Sequence, residues 1–201
     1  MLSRHTHTIT CAIERSVGAL DRLRGSEEAL AAAASLGMRI AACFRAGGKI
    51  LICGNGGSCC DANHFAEELT GRFRADRPPL PAIACVDAAH ITCTANDFGF
   101  DHVFERWVTA LGKPGDVLIV LSTSGNSQNI LLAARAGRSA GMHVAAMLGK
   151  DGGTLHAQHA SDTVIIVPGE TSDRIQELHM LLLHALVESV ERDLFPELGT
   201  E

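Results

Sequence analysis

Two polar loops rich in glycine and hydroxyl groups offer the clearest chemistry in this sequence. The first covers residues 54–58 (GNGGS), and the second covers residues 122–127 (STSGNS). The second loop provides four hydroxyl groups, one amide and one glycine directly before a predicted helix. Backbone N–H groups and the helix dipole attract an anion at such a position, so the loop can hold a phosphate without Lys or Arg. A turn followed by a helix cap uses the same residue types, and this alternative stays open for either loop alone.

Neither loop matches a common nucleotide-binding motif. The sequence contains no G-x-x-x-x-G-K-[ST], which argues against a P-loop. Gly54-Asn55-Gly56 begins like G-x-G-x-x-G, but Cys59 occupies the position of the third glycine. Support for a dinucleotide site is therefore weak.

Four polar side chains on two predicted helices have a spacing that allows them to meet. His64 and Glu68 are four residues apart and share one helix face. Gln176 and His184 are eight residues apart, which is about 80° of rotation over roughly 12 Å, so both can face one cleft. The four could form a metal site, although glutamine is an uncommon zinc ligand. A surface contact of His64 and a buried histidine at His184 remain the alternatives.

Two further polar pairs lie near predicted element ends. Asn96-Asp97 precedes Gly99, and a simple Asx turn explains this pair equally well. Asp173 and Arg174 open the last helix, where an acidic residue is favoured by the helix dipole. His179 lies between Gln176 and His184, and we interpret it as a packing or interface residue.

Short apolar runs alternating with helical segments must position these groups. The predicted strands cover residues 49–53, 80–86, 117–121, 143–148 and 163–167. This alternation indicates parallel βαβ units with right-handed crossovers. The sequence therefore predicts a three-layer α/β sandwich, with a five-stranded parallel sheet flanked by helices. Ligands of such sheets bind at the carboxyl ends of the strands, which is where both polar loops lie.

Two helices are predicted before the α/β unit. The first carries apolar residues spaced by three and four positions, namely Ile9, Ile13, Val17, Leu20 and Leu23. Gly25 ends it, and a second helix begins after Ser26 and ends near Gly47-Gly48. We expect one domain over residues 1–201, with N-terminal helices at 1–46 and an α/β core at 47–201. The leading helices either flank this domain or contact another copy.

Composition restricts the partners and the compartment. The 201 residues suit one domain, and 46% hydrophobic with 20% charged residues is typical of a globular protein. A formal net charge of −6 argues against binding to a nucleic-acid backbone. No apolar run has the length of a membrane span, and the N-terminus lacks the core of a signal peptide. Seven cysteines without C-x-x-C spacing indicate reduced thiols in a cytosolic protein.

Five motifs in order resemble the phosphoheptose isomerase family, whose members are sugar isomerase (SIS) domain proteins. They are GNGGSCCDANHFAEEL, TANDFGF, STSGNS, GKDGG and DRIQELHMLLLH. The resemblance covers nearly the whole chain, and the joint occurrence of the motifs is specific, whereas STSGNS alone marks the wider phosphosugar-binding superfamily. Family members interconvert sedoheptulose 7-phosphate and D-glycero-D-manno-heptose 7-phosphate.

The resemblance also implies a substrate site. The residues that would border the sugar are Asn55, Gly56, Gly57 and Ser58. The phosphate would be held by Ser122, Thr123, Ser124 and Ser127. Asn96 and Asp97 would contact the sugar hydroxyls, often from a neighbouring subunit's side of the cleft. Glu68, Asp173 and Gln176 complete the implied substrate contacts.

A catalytic pair and a metal are implied in the same way. Glu68 matches the base and His184 the acid, or the base in ring opening. Ketose–aldose isomerisation needs such a pair and a means of stabilising the enediolate. One zinc ion per subunit would be held by His64, Glu68, Gln176 and His184, and no organic cofactor is expected. Because a carboxylate on zinc is a poorer base, these two roles of Glu68 partly exclude each other.

The resemblance further implies a cytoplasmic homotetramer with active sites near subunit interfaces. Its product would feed the heptose of bacterial lipopolysaccharide, and no membrane or nucleic-acid partner is expected. Cys59 and Cys60 depart from the residues usual in the first loop, and we expect at least one of them to be buried.

Two alternative functions use the same fold. Some relatives are non-catalytic tetrameric scaffolds that bind the bacterial replication initiator, and Leu194-Phe195-Pro196 resembles that branch. As that branch lacks the equivalents of Glu68 and His184, which this chain retains, the enzyme is favoured. A sugar-phosphate-sensing regulator is the third alternative, and no DNA-binding segment in the sequence supports it.

Overall fold

The computed structural model of the protein describes residues 2–198 and contains one five-stranded parallel sheet. The strands lie in the order β2-β1-β3-β4-β5, and every neighbouring pair is parallel. Their bounds are β1 (Ile50–Gly54), β2 (Ala82–Ala84), β3 (Val117–Ser122), β4 (His143–Gly149) and β5 (Thr163–Val167). The predicted fold class is confirmed, including the two leading helices.

Eight α-helices surround this sheet within the described residues. They are α1 (Leu2–Arg24), α2 (Glu27–Arg45), α3 (Gly57–Thr70), α4 (Ala88–Phe98), α5 (Val103–Leu111), α6 (Gln128–Ser139), α7 (Gly153–Ala157) and α8 (Ser172–Leu194). Short 3₁₀ helices cover Phe100–His102 and Pro196–Leu198. Among residues 2–198, no helix combines the length and the apolar character needed to cross a membrane.

Both faces of the sheet are covered by helices, which explains the continuous apolar strand sequences. Successive residues of β1 point to opposite sides, so Ile50 and Ile52 join one core while Leu51 and Cys53 join the other. The first core is completed by α1, α2, α3 and α8, and the second by α5, α6 and α7. The result is the three-layer arrangement that the sequence predicts.

The structure corrects the elements around β2. This strand covers only Ala82–Ala84 at the sheet edge, whereas the apolar run predicted residues 80–86. Helix α4 follows, although Thr92, Cys93 and Thr94 have low helix propensity. Its start is stabilised by Asp87, whose carboxylate accepts a hydrogen bond of 2.7 Å from the N–H of His90. Tertiary contacts and this cap outweigh propensity, and α4, α5 and α7 were not predicted.

The two leading helices differ in how deeply they are buried. Helix α2 begins after Ser26, whose hydroxyl accepts a hydrogen bond from Ala29, and it packs against α8 and β5. Helix α1 has only two fully buried residues, Ala19 and Leu23, near its C-terminal end. Its apolar residues Ile9 and Ile13 are 60% and 58% exposed. One face of α1 is therefore without a partner among residues 2–198.

Candidate active site

The carboxyl ends of β1 and β3 bring the two polar loops together. These strands are neighbours in the sheet, with Gly54 paired to Leu121, so the segments that follow them emerge side by side. The loop after β1 leads into α3, and the loop after β3 leads into α6. This pairing explains why both loops lie at the carboxyl ends of the strands, as predicted.

A reciprocal amide pair joins the two loops. Asn55 donates to Asn129 and Asn129 donates to Asn55, each over 2.9 Å between nitrogen and oxygen. Asn129 lies in the first turn of α6 and is only 2% exposed. The Asn55 amide, expected to border the sugar, is thus engaged in fixing the loops. Asn129 was missed because a lone asparagine after the second loop carries no spacing signal.

The second loop is held in shape by its own side chains. The Ser122 hydroxyl is buried and accepts a hydrogen bond of 3.0 Å from the N–H of Gly125. The Ser124 hydroxyl accepts one of 3.2 Å from the N–H of Asn126. The Asn126 side-chain oxygen in turn accepts bonds from the backbone and the hydroxyl of Thr154, near the start of α7. The loop is therefore preorganised before any ligand binds.

Gly125 allows this conformation. Its φ is +65°, in the left-handed region that favours glycine. A Cβ at this position would lie 1.9 Å from the carbonyl oxygen of Gly152, so the loop after β4 packs directly on the second loop.

Hydroxyl groups remain at the start of α6 for a ligand. The Thr123 hydroxyl lies 3.1 Å from that of Ser172, and either can donate. Ser127 is the N-cap residue of α6, and its side chain makes no capping hydrogen bond within the described chain. The first N–H groups of a helix lack intrahelical partners, so this end suits an anion.

The first loop is shaped by close packing. A Cβ on Gly57 would lie 2.6 Å from the side-chain oxygen of Gln176, so the Gln176 amide rests on the first turn of α3. A Cβ on Gly54 would lie 2.7 Å from that of Ser58, which is itself buried. The structure therefore places the Ser58 side chain beneath the loop, while Gly56 is exposed at its tip.

Three titratable side chains converge between α3 and α8. Nε2 of His64 lies 3.3 Å from Oε1 of Glu68, and Nε2 of His184 lies 3.2 Å from the same oxygen. The two imidazole rings meet edge to face, with 5.2 Å between centroids. On its other side His184 stacks on Phe73, with 5.9 Å between centroids and 19° between planes. Sequence spacing does not indicate this contact, because Phe73 lies in the segment after α3.

The environment of Glu68 is unusual for a carboxylate. Its Oε2 is buried and has no hydrogen-bond partner among the described residues. Burial raises the pKa of the Glu68 carboxyl above its ordinary value, and the neighbouring His184 and His64 oppose this increase. A carboxylate in such an environment can act as a general base or serve as a metal ligand.

The donor set of this cluster fits a zinc ion. One atom from each of His64, Glu68 and His184 lies within 4.8 Å of the others, and imidazole nitrogen with carboxylate oxygen is a common zinc combination. Tetrahedral zinc with ligands at about 2.1 Å separates neighbouring ligand atoms by roughly 3.4 Å, close to the two distances here. Gln176, the fourth implied ligand, lies two turns before His184 on α8, against Gly57.

The other predicted polar residues lie at the surface. Asn96 and Asp97 are exposed in the last turn of α4, where the Asn96 amide donates to Asp97 over 2.7 Å, so they do not form a separate turn. Asp173 is exposed at the start of α8. Hydrogen bonds from Thr171 and Arg174 lower the pKa of its carboxyl to about 2.

The neighbouring cysteines and His179 have structural explanations. Neither thiol of the adjacent pair is fully buried, contrary to expectation, because Cys59 is half-buried and Cys60 is exposed on the first turns of α3. Burial raises the pKa of the Cys59 thiol, which argues against a reactive thiolate there. His179 is fully buried, its Nε2 lies 3.2 Å from the carbonyl oxygen of Leu148, and burial lowers its pKa to about 4.

The sequence of the chain is similar to those of known proteins. The SIS domain family matches residues 14–149. The phosphoheptose isomerase of Fusobacterium nucleatum is 52% identical over 159 residues, which cover 79% of this chain and 81% of that protein. The phosphoheptose isomerase of Yersinia enterocolitica is 53% identical over 152 residues, covering 75% and 78%.

Solved structures agree with the sequence matches. A phosphoheptose isomerase from Neisseria gonorrhoeae superimposes with a TM-score of 0.85 at 38% identity, over 92% of this chain and 98% of that one. The one from Francisella tularensis gives 0.86 at 37% identity, over 94% and 98%. The Vibrio vulnificus NanR protein, solved with ManNAc-6P, shares the fold at 16% identity and a TM-score of 0.67, over 98% of this chain and 66% of that one.

Proposed function

Because the chain belongs to the SIS-domain family and, within it, to the phosphoheptose isomerases, we propose that it converts sedoheptulose 7-phosphate to D-glycero-D-manno-heptose 7-phosphate. The observation that carries this proposal is the meeting of Glu68 and His184 between α3, which follows the first loop, and α8, whose Gln176 packs on that loop. A buried carboxylate and an imidazole 3.2 Å apart are the pair that proton transfer between adjacent carbons requires.

The substrate phosphate is assigned to the second loop. The hydroxyls of Thr123, Ser124 and Ser127 surround the start of α6, while Ser122 holds the backbone of Gly125 in place. The sugar then extends across the exposed Gly56 towards the cluster between α3 and α8. Asn55 supports this path by joining the loops, and Gln176 lines it on the side of Gly57. Asn96, Asp97 and Asp173 are proposed to contact the sugar hydroxyls at the open side of the cleft.

The proposed reaction moves one proton between neighbouring carbons. The Glu68 carboxylate removes a proton from C1 of the open-chain ketose, and the C1–C2 bond gains double-bond character as the carbonyl oxygen at C2 takes up the charge. His184 donates a proton to that oxygen and gives an enediol. Return of the carbon-bound proton to C2, with loss of the O1 proton to His184, yields the aldose and restores both side chains. The raised pKa of Glu68 suits a group that must both accept and return a proton.

Zinc is proposed as the metal of this site. His64, Glu68 and His184 would hold it, with Gln176 as the fourth ligand, and a bound zinc ion would polarise the substrate oxygens. Oε2 of Glu68 supports this proposal, because it is buried without a hydrogen-bond partner among the described residues and a metal ion would complete the contacts of this carboxylate.

Zinc binding is expected to depend on His64. Zinc titrated into chelator-treated protein should bind at one ion per chain in calorimetry. His64→Ala should weaken the affinity by more than about 100-fold, because loss of outer-shell partners alone costs about 10–100-fold. His156→Ala, at an exposed histidine of α7, is the control and should bind like the wild type. Equal affinities of both variants would contradict the proposed ligand set.

An NMR assay of purified protein with sedoheptulose 7-phosphate tests the proposed function. We expect the signals of the heptose 7-phosphate to appear and those of the ketose to decline until equilibrium. Unphosphorylated sedoheptulose is the matched control and should react far more slowly, since it cannot occupy the second loop. Absence of product with zinc-loaded and with metal-free protein would overturn the assignment.

The assembly is proposed to be a homotetramer of single SIS domains spanning residues 1–201. The exposed apolar residues of α1, including Ile9, Ile13 and Val17, offer a surface for another copy. Exposed Asn96 and Asp97 agree with active sites near subunit interfaces. We further propose a cytoplasmic enzyme whose product supplies the heptose of lipopolysaccharide.

A scaffold that binds the replication initiator is not favoured. The residues that resemble that branch have a packing role here, because Leu194 and Phe195 contact the first hydrophobic core at the end of α8. Glu68 and His184 are both present and in contact, which a non-catalytic scaffold does not need.

A further inference from the structure

A fully buried guanidinium lies next to the candidate catalytic pair but belongs to neither loop nor cluster. The side chain of Arg77 is 0% exposed. Its Nη2 donates to the carbonyl oxygen of Glu68 and its Nη1 to that of Leu69, each over 2.7 Å. Its Nε donates to Oε1 of Glu191, also over 2.7 Å. Arg77 therefore contacts the backbone of the proposed base directly.

These contacts satisfy the end of α3. The last carbonyl groups of a helix lack intrahelical partners, and α3 ends at Thr70, so the carbonyls of Glu68 and Leu69 belong to this set. A planar guanidinium can donate to both at once, and its positive charge is favourable at a helix C-terminus. Arg77 thus fixes the backbone turn from which the Glu68 side chain projects.

Glu191 connects this turn to the helix that carries His184. Both residues lie on α8, seven positions or two turns apart, and therefore on the same face about 10 Å from each other. Through Arg77, the end of α3 is bound to α8 by a buried ion pair. Glu68 and His184 lie on these same two helices, so the distance between them depends on how α3 is positioned against α8.

We propose that Arg77 and Glu191 are positioning residues that set the spacing of Glu68 and His184. This inference rests on the proposed function only in taking these two side chains as the proton-transfer pair. A small shift of α3 along α8 would change the distance between them, whereas the second loop, attached to β3 and α6, would keep its geometry.

A merely structural ion pair would behave differently. Losing it would lower the unfolding temperature and leave the folded fraction with normal kinetics. A positioning pair affects the chemical step, because a displacement of about 1 Å can cost about 100-fold in rate. Substrate binding through the phosphate should be unaffected, so kcat falls while KM stays.

Two conservative variants test the proposal. Arg77→Lys keeps the charge and loses the forked contact with both carbonyls, and Glu191→Gln keeps an oxygen acceptor and loses the ion pair. Measured well below their unfolding temperatures, both should lower kcat by roughly tenfold or more with KM within about twofold of the wild type. The matched control is Arg45→Lys, which alters an exposed ion pair between α2 and Asp193 of α8. Its kcat should equal that of the wild type.

A second measurement needs no turnover. In metal-free protein, the imidazole nitrogen resonances of His184 should shift in Arg77→Lys and Glu191→Gln and stay in place in Arg45→Lys. If Arg77→Lys does not fold, Glu191→Gln decides the question. Wild-type kcat together with unchanged His184 resonances in a folded variant would overturn the proposal. Wild-type protein that fails to convert sedoheptulose 7-phosphate would instead refute the proposed function, while the resonances would still report on positioning.

Discussion

Replacing Glu68 with glutamine is expected to lower kcat for sedoheptulose 7-phosphate by roughly 10²–10⁴-fold, the usual range for loss of a general base. Glutamine has nearly the shape of glutamate but cannot accept a proton from carbon. The fold and the affinity for the phosphate should persist, because neither loop contacts this side chain through any hydrogen bond found in the described chain. NMR turnover assays and phosphosugar titration measure the two effects separately.

The matched control for this prediction is Glu67→Gln. Glu67 is adjacent on α3, but its side chain is exposed, and its one ion-pair partner among the described residues is His64, at 3.8 Å. Its loss should leave kcat within a few-fold of the wild type. Turnover of Glu68→Gln at the rate of Glu67→Gln would remove Glu68 from the proposed mechanism.

Gly125→Ala is expected to damage the phosphate loop severely. The left-handed backbone costs about 1–2 kcal/mol for a residue with a Cβ. The clash with the Gly152 carbonyl adds about 1–3 kcal/mol, because the loop after β4 must move. Urea unfolding should show this loss of stability. The KM for the phosphosugar should also rise, since the Ser122 and Ser124 hydrogen bonds depend on this backbone.

Gly115→Ala separates the conformational cost of a left-handed alanine from the cost of the clash with Gly152. Gly115 also has a positive φ, +89°, but a Cβ there would meet no described residue within 4 Å. Only the conformational cost of about 1–2 kcal/mol applies, and KM should not change. If both variants lost equal stability and kept the same KM, the contact between the two loops would have no role in binding.

Much of the fold could be predicted because buried parallel strands have a simple signature. The apolar segments at β1, β3, β4 and β5 are bounded by glycine or polar residues, and each matches an observed strand to within a residue or two. Helix α4 was missed because threonine and cysteine are poor helix formers. Its N-cap residue Asp87 is the local signal that indicates a helix start. Short edge strand β2 was overestimated because the N–H groups at the two ends of the apolar run, those of Leu80 and Val86, bond to Leu69 and Ala84 and not to the neighbouring strand.

The candidate site, like the fold, could be predicted from the sequence only in part. Helical spacing indicated that His64 and Glu68 share a face and that Gln176 and His184 can face one cleft, and the resemblance added their catalytic and metal-binding roles. Residues that act through long-range contacts could not be found, since Asn129 lies 74 residues from Asn55 and Arg77 lies 114 residues from Glu191. Nothing in the local sequence around Arg77 distinguishes it from the surface arginines nearby.

The reciprocal amide pair between Asn55 and Asn129 has an evolutionary consequence. Each side chain satisfies both polar groups of the other, so a change at one position leaves an inward-facing amide with neither its donor nor its acceptor matched. The two positions are therefore expected to covary: lineages that lose one asparagine should replace the other as well, through paired substitutions rather than single ones.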